Sequence, residues 1–344
     1  MNMPAQITHI NLQYSKTIGR GEQFGPGFTQ PICVARGQEG LMYVLCRASE
    51  YRPEGTRITV CTVDDEYVTA FARGVPQQGP HEYNFEDGSL VWPTALAIDS
   101  DENVYVADEW LNRISIFTKD GDYSGKWAER PGAGEGELSR PSGLAFDVDD
   151  NLYVVDSGNH RIQKFTKDGQ FLAKWGTAGS GEGEFNTPWG IDIDRQGDVY
   201  IADWRNDRIQ KFSPDGHFLM AFGSSGSGEG QFNRPSDVAV DSDGAIYVAD
   251  WMNNRLQVFD ADGVFVLSRT GDATVSKWGK DKLDANAEMW TERERAYGLE
   301  REKLFWGPTG VTVDDENRVF VCESARNRIQ VYRKQSPTFV GPRL

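Results

Sequence analysis

Residues 141–187 read PSGLAFDVDDNLYVVDSGNHRIQKFTKDGQFLAKWGTAGSGEGEFNT, and this pattern is written six times along the 344-residue chain. The other copies open at Pro31, Pro93, Pro188, Pro235 and Pro308. Each copy holds short alternating or β-branched runs separated by turn residues, which predicts strands. Four antiparallel strands repeated about every 47 residues are typical of one β-propeller blade. We therefore predict an all-β chain with six four-stranded blades, whose strands are named a to d from the central channel outward.

The two ends of the chain predict how the ring closes. The sixth copy ends near RNRIQVYRKQ without a fourth strand, whereas the chain begins with an unpaired one, YSKTIGRGEQFGPGFTQP. That segment resembles the fourth strand and exit loop of another copy, KWGTAGSGEGEFNTP. We expect the N-terminal strand, near Leu12 to Gly19, to complete the last blade, which removes two free sheet edges. Residues 1–344 are then one domain.

Composition bounds the function. The formal net charge of −16 argues against a nucleic-acid partner, because neutralising phosphates dominates that affinity. The N-terminus has no apolar core segment and no apolar run approaches a membrane span. We expect a cytoplasmic protein without a membrane partner, and its oligomeric state is left open. The four cysteines, Cys33, Cys46, Cys61 and Cys322, form no CxxC pair, so we expect reduced core residues rather than a disulfide framework.

Segments such as YVADEWLNRI, YVVDSGNHRI, YIADWRNDRI and YVADWMNNRL resemble the NHL repeat family, of the bacterial stand-alone type. The resemblance covers nearly the whole chain, weakly in blade one, and implies a six-bladed propeller. An Asp ends strand b in four copies, followed by an Asn and an Arg in the turn. These sets are Asp108, Asp156, Asp203, Asp250; Asn112, Asn159, Asn206, Asn253; and Arg113, Arg161, Arg208, Arg255, with Glu323, Asn327 and Arg328 in blade six. A motif present in every blade is interpreted as structural, with Arg donating to Asp.

Three long departures from the repeat belong to one face of the propeller, which carries the b–c turns and the d-to-a exit loops. They are the blade-one turn at 47–56, the exit loop at 73–92 and an insertion near 272–306. Binding residues concentrate on such loops, although exit loops also tolerate insertion without any ligand. Within the insertion, Leu283, Ala287, Trp290 and Tyr297 recur at helical spacing. This predicts an amphipathic helix that serves as a lid, packs against a blade side or forms an oligomer contact.

Six of the ten tryptophans fall on the same face: Trp92, Trp110, Trp189, Trp204, Trp251 and Trp306. Tryptophan gives a large contact area and one hydrogen-bond donor, which suits a ligand pocket or an interface. Stacking between blades is the structural alternative. The polar candidates nearby are Glu109, His160, Arg205, Asp207 and Arg326, with His81 on the second departure.

The family resemblance also carries enzymatic expectations. Amidating lyases with similar propellers hold zinc through histidines at the start of strand a, but no such histidine stands here, and the chain has four in all. Related lactonases use acidic residues around a channel calcium, and no set here matches convincingly, so calcium stays open. The family's RNA-binding members use a basic face, which this acidic chain does not suggest. We predict a non-catalytic propeller, without a cofactor, that binds a protein segment or small ligand. The alternative is a metal-assisted hydrolase, lactonase or lyase at the same face.

Overall fold

Six four-stranded antiparallel sheets make up the protein. The computed structural model describes residues 10–49, 53–75, 86–128 and 131–335. The first strands of successive sheets contact one another around a closed circle, and that of the last sheet contacts that of the first. The predicted six-bladed β-propeller is therefore confirmed.

The first three blades follow the chain from the channel outward. Blade one consists of β2 Pro31–Arg36, β3 Leu41–Cys46, β4 Arg57–Thr62 and β5 Tyr67–Phe71. Blade two consists of β6 Pro93–Ile98, β7 Val104–Asp108, β8 Arg113–Phe117 and β9 Tyr123–Trp127. Blade three consists of β10 Pro141–Phe146, β11 Asn151–Asp156, β12 Arg161–Thr166 and β13 Phe171–Trp175. A short parallel pair, β14 Thr177–Ala178 and β15 Glu184–Phe185, follows in the exit loop.

The last three blades repeat this order, and the final blade takes a strand from the N-terminus. Blade four consists of β16 Ile191–Ile193, β17 Val199–Asp203, β18 Arg208–Phe212 and β19 Phe218–Phe222. Blade five consists of β20 Pro235–Val240, β21 Ile246–Asp250, β22 Arg255–Phe259 and β23 Phe265–Arg269. Blade six consists of β24 Pro308–Val313, β25 Arg318–Glu323, β26 Arg328–Gln335 and β1 Asn11–Ile18. Strand β1 pairs antiparallel with β26, as predicted, so the ring is fastened by its own N-terminal strand.

The core lies between neighbouring blades rather than inside any one of them. Tyr153 and Ile162 of blade three pack in one cluster with Ile201 and Phe212 of blade four, and all four are essentially buried. An apolar residue on each face of a strand thus meets a partner on the adjacent blade, which is why single repeats cannot fold alone.

The Asp that ends strand b is the hub of a buried polar network. Fully buried Asp203 accepts hydrogen bonds from Asn206 Nδ2 at 2.8 Å, Arg208 Nε at 2.9 Å and the main-chain N–H of Asn186 at 2.8 Å. The same three donor types serve the Asp of blades three and five, and Arg208 has its counterpart in Arg328 of blade six. The structural interpretation of the motif is therefore confirmed there.

Blade two departs from this network. Asp108 accepts from four main-chain N–H groups, those of Val91, Trp92, Trp110 and Leu111. Arg113 instead donates to the carbonyl of Ser89 and to the hydroxyl of Ser115. Blade two therefore keeps the Asp, but Asp108 and Arg113, both of which the structure describes, share no hydrogen bond.

In blades two to six, the residue four places after the acidic residue that ends strand b joins its blade to the next. It adopts left-handed backbone and its side chain accepts from the N–H of the residue before the next exit-loop proline, as Asn112 Oδ1 does from Arg140 at 2.8 Å. His160 Nδ1 accepts from Thr187 in the same way, at 3.1 Å. The sequence-based grouping of Asn112 with Asn159 is therefore wrong by one residue, because Asn112 is equivalent to His160. Asn159 instead donates to Asp156 and to the carbonyl of Gly132.

The turns of the propeller include short 3-10 helices. Four of them follow strand b: Ser157–Asn159, Trp204–Asn206, Trp251–Asn253 and Ser324–Arg326. Two others lie in blade one, at Gln38–Gly40 and Pro53–Gly55. On the opposite face, the Asp-Gly turns between strands c and d place their glycines in left-handed backbone, as expected for tight hairpins.

The insertion between blades five and six forms three short helices instead of the single predicted one. They are α1 Lys277–Asp284, α2 Ala287–Arg295 and α3 Leu299–Glu302. The break occurs because Asn286 caps a new helix by accepting from Glu288 N, and Tyr297 beyond α2 is fully exposed. The buried anchor is Trp278, which contacts Phe28 and donates to the carbonyl of Asp65. No helix within the described ranges has the length and apolarity to cross a membrane.

All four cysteines are free. Cys46, Cys61 and Cys322 are fully buried, and burial raises the pKa of the Cys46 thiol to about 11. Cys33 is half-buried at the channel. The expectation of reduced core cysteines agrees with these positions.

Candidate functional site

A cavity of about 930 Å³ opens on the face that carries the b–c turns and the exit loops. It is built from two rings of repeat-equivalent residues. The residue just after strand b supplies the mouth ring: Arg47, Glu109, Trp204, Trp251 and Ser324. The residue just after the first proline of each repeat supplies the floor ring: Ile32, Thr94, Ser142, Trp189, Ser236 and Thr309. Five blades thus contribute the same two positions with different chemistry, and blade three contributes only the floor position, Ser142.

Hydroxyl groups hold the floor ring together. Thr94 Oγ1 donates to the carbonyl of Pro141 at 2.8 Å, and Ser236 Oγ donates to that of Pro308 at 3.1 Å. Ser142 and Thr309 bond the following blade in the same way. Because these hydroxyls are committed to neighbouring strands, the floor is a fixed platform rather than a set of free nucleophiles.

One side of the cavity is a row of aromatic rings, Trp189, Trp204 and Trp251, which we call the tryptophan row. The centroids of Trp189 and Trp204 are 6.3 Å apart, and those of Trp204 and Trp251 are 6.2 Å apart, with interplanar angles of 39° and 32°. All three are half-buried and line the cavity. The guanidinium of Arg234 lies 4.8 Å from the Trp204 ring and that of Arg205 lies 5.5 Å from it. The row offers a broad apolar surface edged by positive charge.

The other side of the cavity, on blades one and two, is charged. Arg47 lies 4.6 Å above the ring of Trp92, and Glu109 accepts from Arg140 Nε at 2.8 Å. Burial lowers the pKa of the Arg47 guanidinium, and the carboxylates of Glu109 and Asp108 oppose that shift. Trp110 completes this wall.

Two carboxyl groups sit on the channel strands below the tryptophan row. Asp237 lines the cavity and accepts from Val311 N at 2.9 Å, and Asp192 accepts from Val240 N at 2.7 Å. Burial raises the pKa of Asp237 to about 8 and that of Asp192 to about 7. Each carboxyl bridges its own blade to the next, and burial shifts both toward the neutral form, so they contribute less negative charge than their number suggests.

Seven of the twelve candidate residues from the sequence line this cavity: Trp92, Trp110, Trp189, Trp204, Trp251, Glu109 and Arg205. His160 does not, because its imidazole is engaged in the inter-blade hydrogen bond; Asp207 is engaged equivalently, with Arg234 N. Trp306 is 60% exposed outside the cavity, and Arg326 stacks on it. His81 lies outside the described residues.

The insertion does not line the cavity. None of the lining residues comes from 272–306; α1 instead packs on the outer side of the ring, where Ser276 donates to the carbonyl of Gly19. A second cavity of about 680 Å³ lies between the insertion and the rim, and Arg326 lines it. Of the three roles considered for the insertion, the contacts fit a helix held against a blade side.

Sequence reasoning missed Arg47, Arg140 and Asp237 as cavity residues. Arg47 belongs to the most eroded repeat, where the Asp that marks the end of strand b is replaced by Cys46. The signal that could have found it is positional, because the residue after strand b lines the cavity in five of the six blades. No group of three or more His, Cys, Asp or Glu side chains that could hold a metal ion occurs within the described part of the chain.

Solved structures with the same fold include both proteins of unknown function and enzymes. A protein of unknown function from Bacteroides thetaiotaomicron has a TM-score of 0.61 at 19% identity, covering 95% of this chain and 76% of that one. A catalytically inactive virginiamycin B lyase from Staphylococcus aureus with quinupristin has a TM-score of 0.56 at 14% identity, covering 94% and 99%. A streptogramin B lyase has a TM-score of 0.56 at 12% identity, covering 95% and 98%. At such identities the likeness concerns the fold alone.

Sequence comparison identifies the repeat. A search of curated proteins gave no match. The model of the NHL repeat matches residues 138–165, 185–212, 232–259 and 305–332. Each matched segment begins in an exit loop and runs through strands a, b and c of blades three to six. With the two remaining blades built on the same plan and the ring closed by β1, the chain is an NHL-repeat protein with a six-bladed β-propeller fold.

Proposed function

We propose that this protein is a non-catalytic binding propeller that holds a small ligand, or a short segment of a partner protein, in the cavity of the loop-rich face. The tryptophan row carries the proposal. Three neighbouring half-buried indoles on a fixed platform give the large, rigid contact area that ligand sites and binding hot spots use. A volume of about 930 Å³ lies within the range of small-molecule sites and favours a compact ligand.

The lining chemistry supports binding more than turnover. The floor hydroxyls are engaged between blades, and Glu109 is held by Arg140. The alternative, a metal-assisted hydrolase, lactonase or lyase at the same face, would need several convergent metal ligands. Among the described residues, two carboxyl groups line the cavity, those of Asp237 and Glu109.

A fragment screen with matched variants tests the proposal. Small ring compounds of neutral, positive and negative charge are screened by saturation-transfer NMR against the purified protein. Binders are then retested with Trp204→Ala, Trp251→Ala and, as a control, Trp290→Ala on the insertion. We expect binding that is lost in both cavity variants and kept in the control.

Two results would contradict the proposal. One is a set of fragments that bind equally well to the cavity variants. The other is one equivalent of calcium or zinc retained through dialysis, measured by elemental analysis, which would favour the metal-assisted alternative.

A further inference from the structure

The cavity walls carry unpaired positive charge in a strongly acidic protein. Among the cavity-lining residues are Arg47, Arg140 and Arg205, against Glu109 and Asp237, although the whole chain has a formal net charge of −16. The carboxylate of Glu109 forms an ion pair with Arg140. Within the described residues, Arg47 and Arg205 make no ion pair, so neither guanidinium is directly paired with a carboxylate.

Arg47 is the more informative of these two arginines. It follows strand b of blade one, is half-buried, and stacks on Trp92. Its guanidinium makes no hydrogen bond with any part of the chain that the structure describes. A guanidinium keeps its charge even where burial disfavours it, and unused donors in a confined site are costly. Arg47 therefore presents its donor groups to a cavity where an anion would satisfy them.

The aromatic and cationic surfaces face each other. In a ring of six blades, blade one is opposite blade four. Arg47 lies on blade one, and the tryptophan row belongs to blades four and five. A molecule that spans the cavity can therefore place a flat ring on the row and an acidic group on Arg47.

We propose that the ligand of this cavity is an aromatic carboxylate, with its ring on the tryptophan row and its carboxylate paired with the guanidinium of Arg47. This inference rests on the proposed binding function and names its ligand class. A planar guanidinium binds carboxylate through two parallel hydrogen bonds, which gives direction as well as strength. Arg205, at the edge of Trp204, adds a second positive charge beside the ring.

The two acidic groups of the cavity do not cancel this preference. The carboxylate of Glu109 accepts two hydrogen bonds from Arg140, through Nε and Nη2. Asp237 holds the main-chain N–H of Val311, and burial among the channel strands favours its neutral form. Both accept hydrogen bonds from the protein, whereas the Arg47 guanidinium stacks on Trp92 and has no hydrogen-bond acceptor among the described residues.

Three probes of the same shape test the inference: 2-naphthoate, 2-naphthamide and 2-naphthylmethylamine. Their affinities are measured by calorimetry with the full-length chain at pH 7.5. We expect naphthoate to bind about 10- to 100-fold more tightly than naphthamide, the range of a charge-assisted hydrogen bond. The cationic amine is expected to bind most weakly.

Variants separate the charge from the ring surface. Arg47→Gln is expected to reduce naphthoate affinity to that of naphthamide and to leave naphthamide unchanged, and Arg47→Lys is expected to be intermediate. Arg195→Gln, on an exposed arginine paired with Asp315, should change nothing. Trp204→Ala should weaken all three probes.

The outcomes distinguish this inference from the broader function. If naphthoate and naphthamide bind equally and both are lost in Trp204→Ala, the carboxylate preference is overturned while the binding function stands. If Arg47→Gln leaves naphthoate binding intact, the assignment of Arg47 is wrong. If no probe binds to the wild-type protein, the inference falls, and the fragment screen decides the broader function separately.

Discussion

Replacing Asp203 by alanine is expected to destabilise the propeller without touching the ligand cavity. Asp203 is fully buried and accepts from Asn206, Arg208, Gln210 and the N–H of Asn186. Alanine removes all four acceptor contacts at once. The substitution therefore tests whether the Asp that ends strand b in the repeat contributes to stability.

The expected loss of stability follows from what the donors to Asp203 lose. Arg208 keeps the carbonyls of Ser180, Gly181 and Glu184, but its guanidinium loses its carboxylate. Breaking a buried ion pair from one side costs about 3–5 kcal/mol. The N–H of Asn186 also loses its partner, at about 1–3 kcal/mol. Because these terms overlap, we expect a loss of about 3–5 kcal/mol in the free energy of unfolding.

An isosteric change should cost less. Burial raises the pKa of Asp203, so part of the benefit of its hydrogen bonds is spent on desolvating the charge. Asn at this position still accepts one hydrogen bond and carries no charge to desolvate. We expect Asp203→Asn to cost about 1.5–3 kcal/mol, the range of one lost hydrogen bond to a charged group.

Urea unfolding at 25 °C measures both changes, followed by tryptophan fluorescence and by far-UV circular dichroism. Asp215→Ala, in an exposed hairpin turn, is the control and should stay within about 0.5 kcal/mol of the wild type. The reasoning is refuted if Asp203→Ala is as stable as the control. Loss of ligand binding with unchanged stability would instead make the motif functional.

Three further changes test closure, the channel and the insertion. Ile18→Ala in the closing strand should cost about 2–5 kcal/mol in urea unfolding, because Ile18 is fully buried, whereas Lys16→Ala should cost less than about 1 kcal/mol. In the folded protein the pKa of Asp237 is about 8, well above its value in the unfolded chain. Between about pH 4 and pH 8 the folded state therefore binds more protons than the unfolded state, and the free energy of unfolding falls as pH rises through this range. Asp237→Asn should flatten that slope in urea unfolding at a series of pH values, and an unchanged slope would contradict this assignment. Trp278→Ala should raise the rate of amide hydrogen exchange across 277–284 at least tenfold, measured by mass spectrometry. The affinities of the probes for the cavity should stay the same. A loss of affinity would mean that the insertion does shape the site.

The sequence was sufficient for the fold because the repeat encodes it redundantly. Every copy carries the alternation that defines its strands, and the missing fourth strand of the sixth copy pointed to the N-terminal segment that pairs with β26. The insertion was harder. Leu283, Ala287 and Trp290 do recur at helical spacing, but the pattern cannot show that Asn286 starts a new helix. Nor could it identify Trp278 as the anchor, because Asp65 and Phe28 are more than 200 residues away in sequence.

The sequence predicted the face and the aromatic character of the candidate site, but it did not predict which residues line the cavity. Position relative to strand b places Trp204 and Trp251 at equivalent points of adjacent blades, so their contact follows from the repeat. Trp306 precedes its strand-a proline, Pro308, by two residues, whereas Trp92 and Trp189 directly flank theirs, and Trp306 is the one of the three that lies outside the cavity. His160 illustrates the same limit, since a histidine at a turn can accept from a main-chain N–H as an Asn does.

Different positions of the repeat have different roles, which explains why the proposed binding function depends on so few residues. The Asp that ends strand b, and the residue four places later, are occupied by hydrogen bonds that hold a blade together or join it to the next. The residue directly after strand b is not needed for these hydrogen bonds, and it varies as Arg47, Glu109, Trp204 and Trp251 around the mouth of one cavity. A rigid ring of equivalent positions can therefore change its ligand chemistry one blade at a time. That freedom puts a cation opposite the tryptophan row.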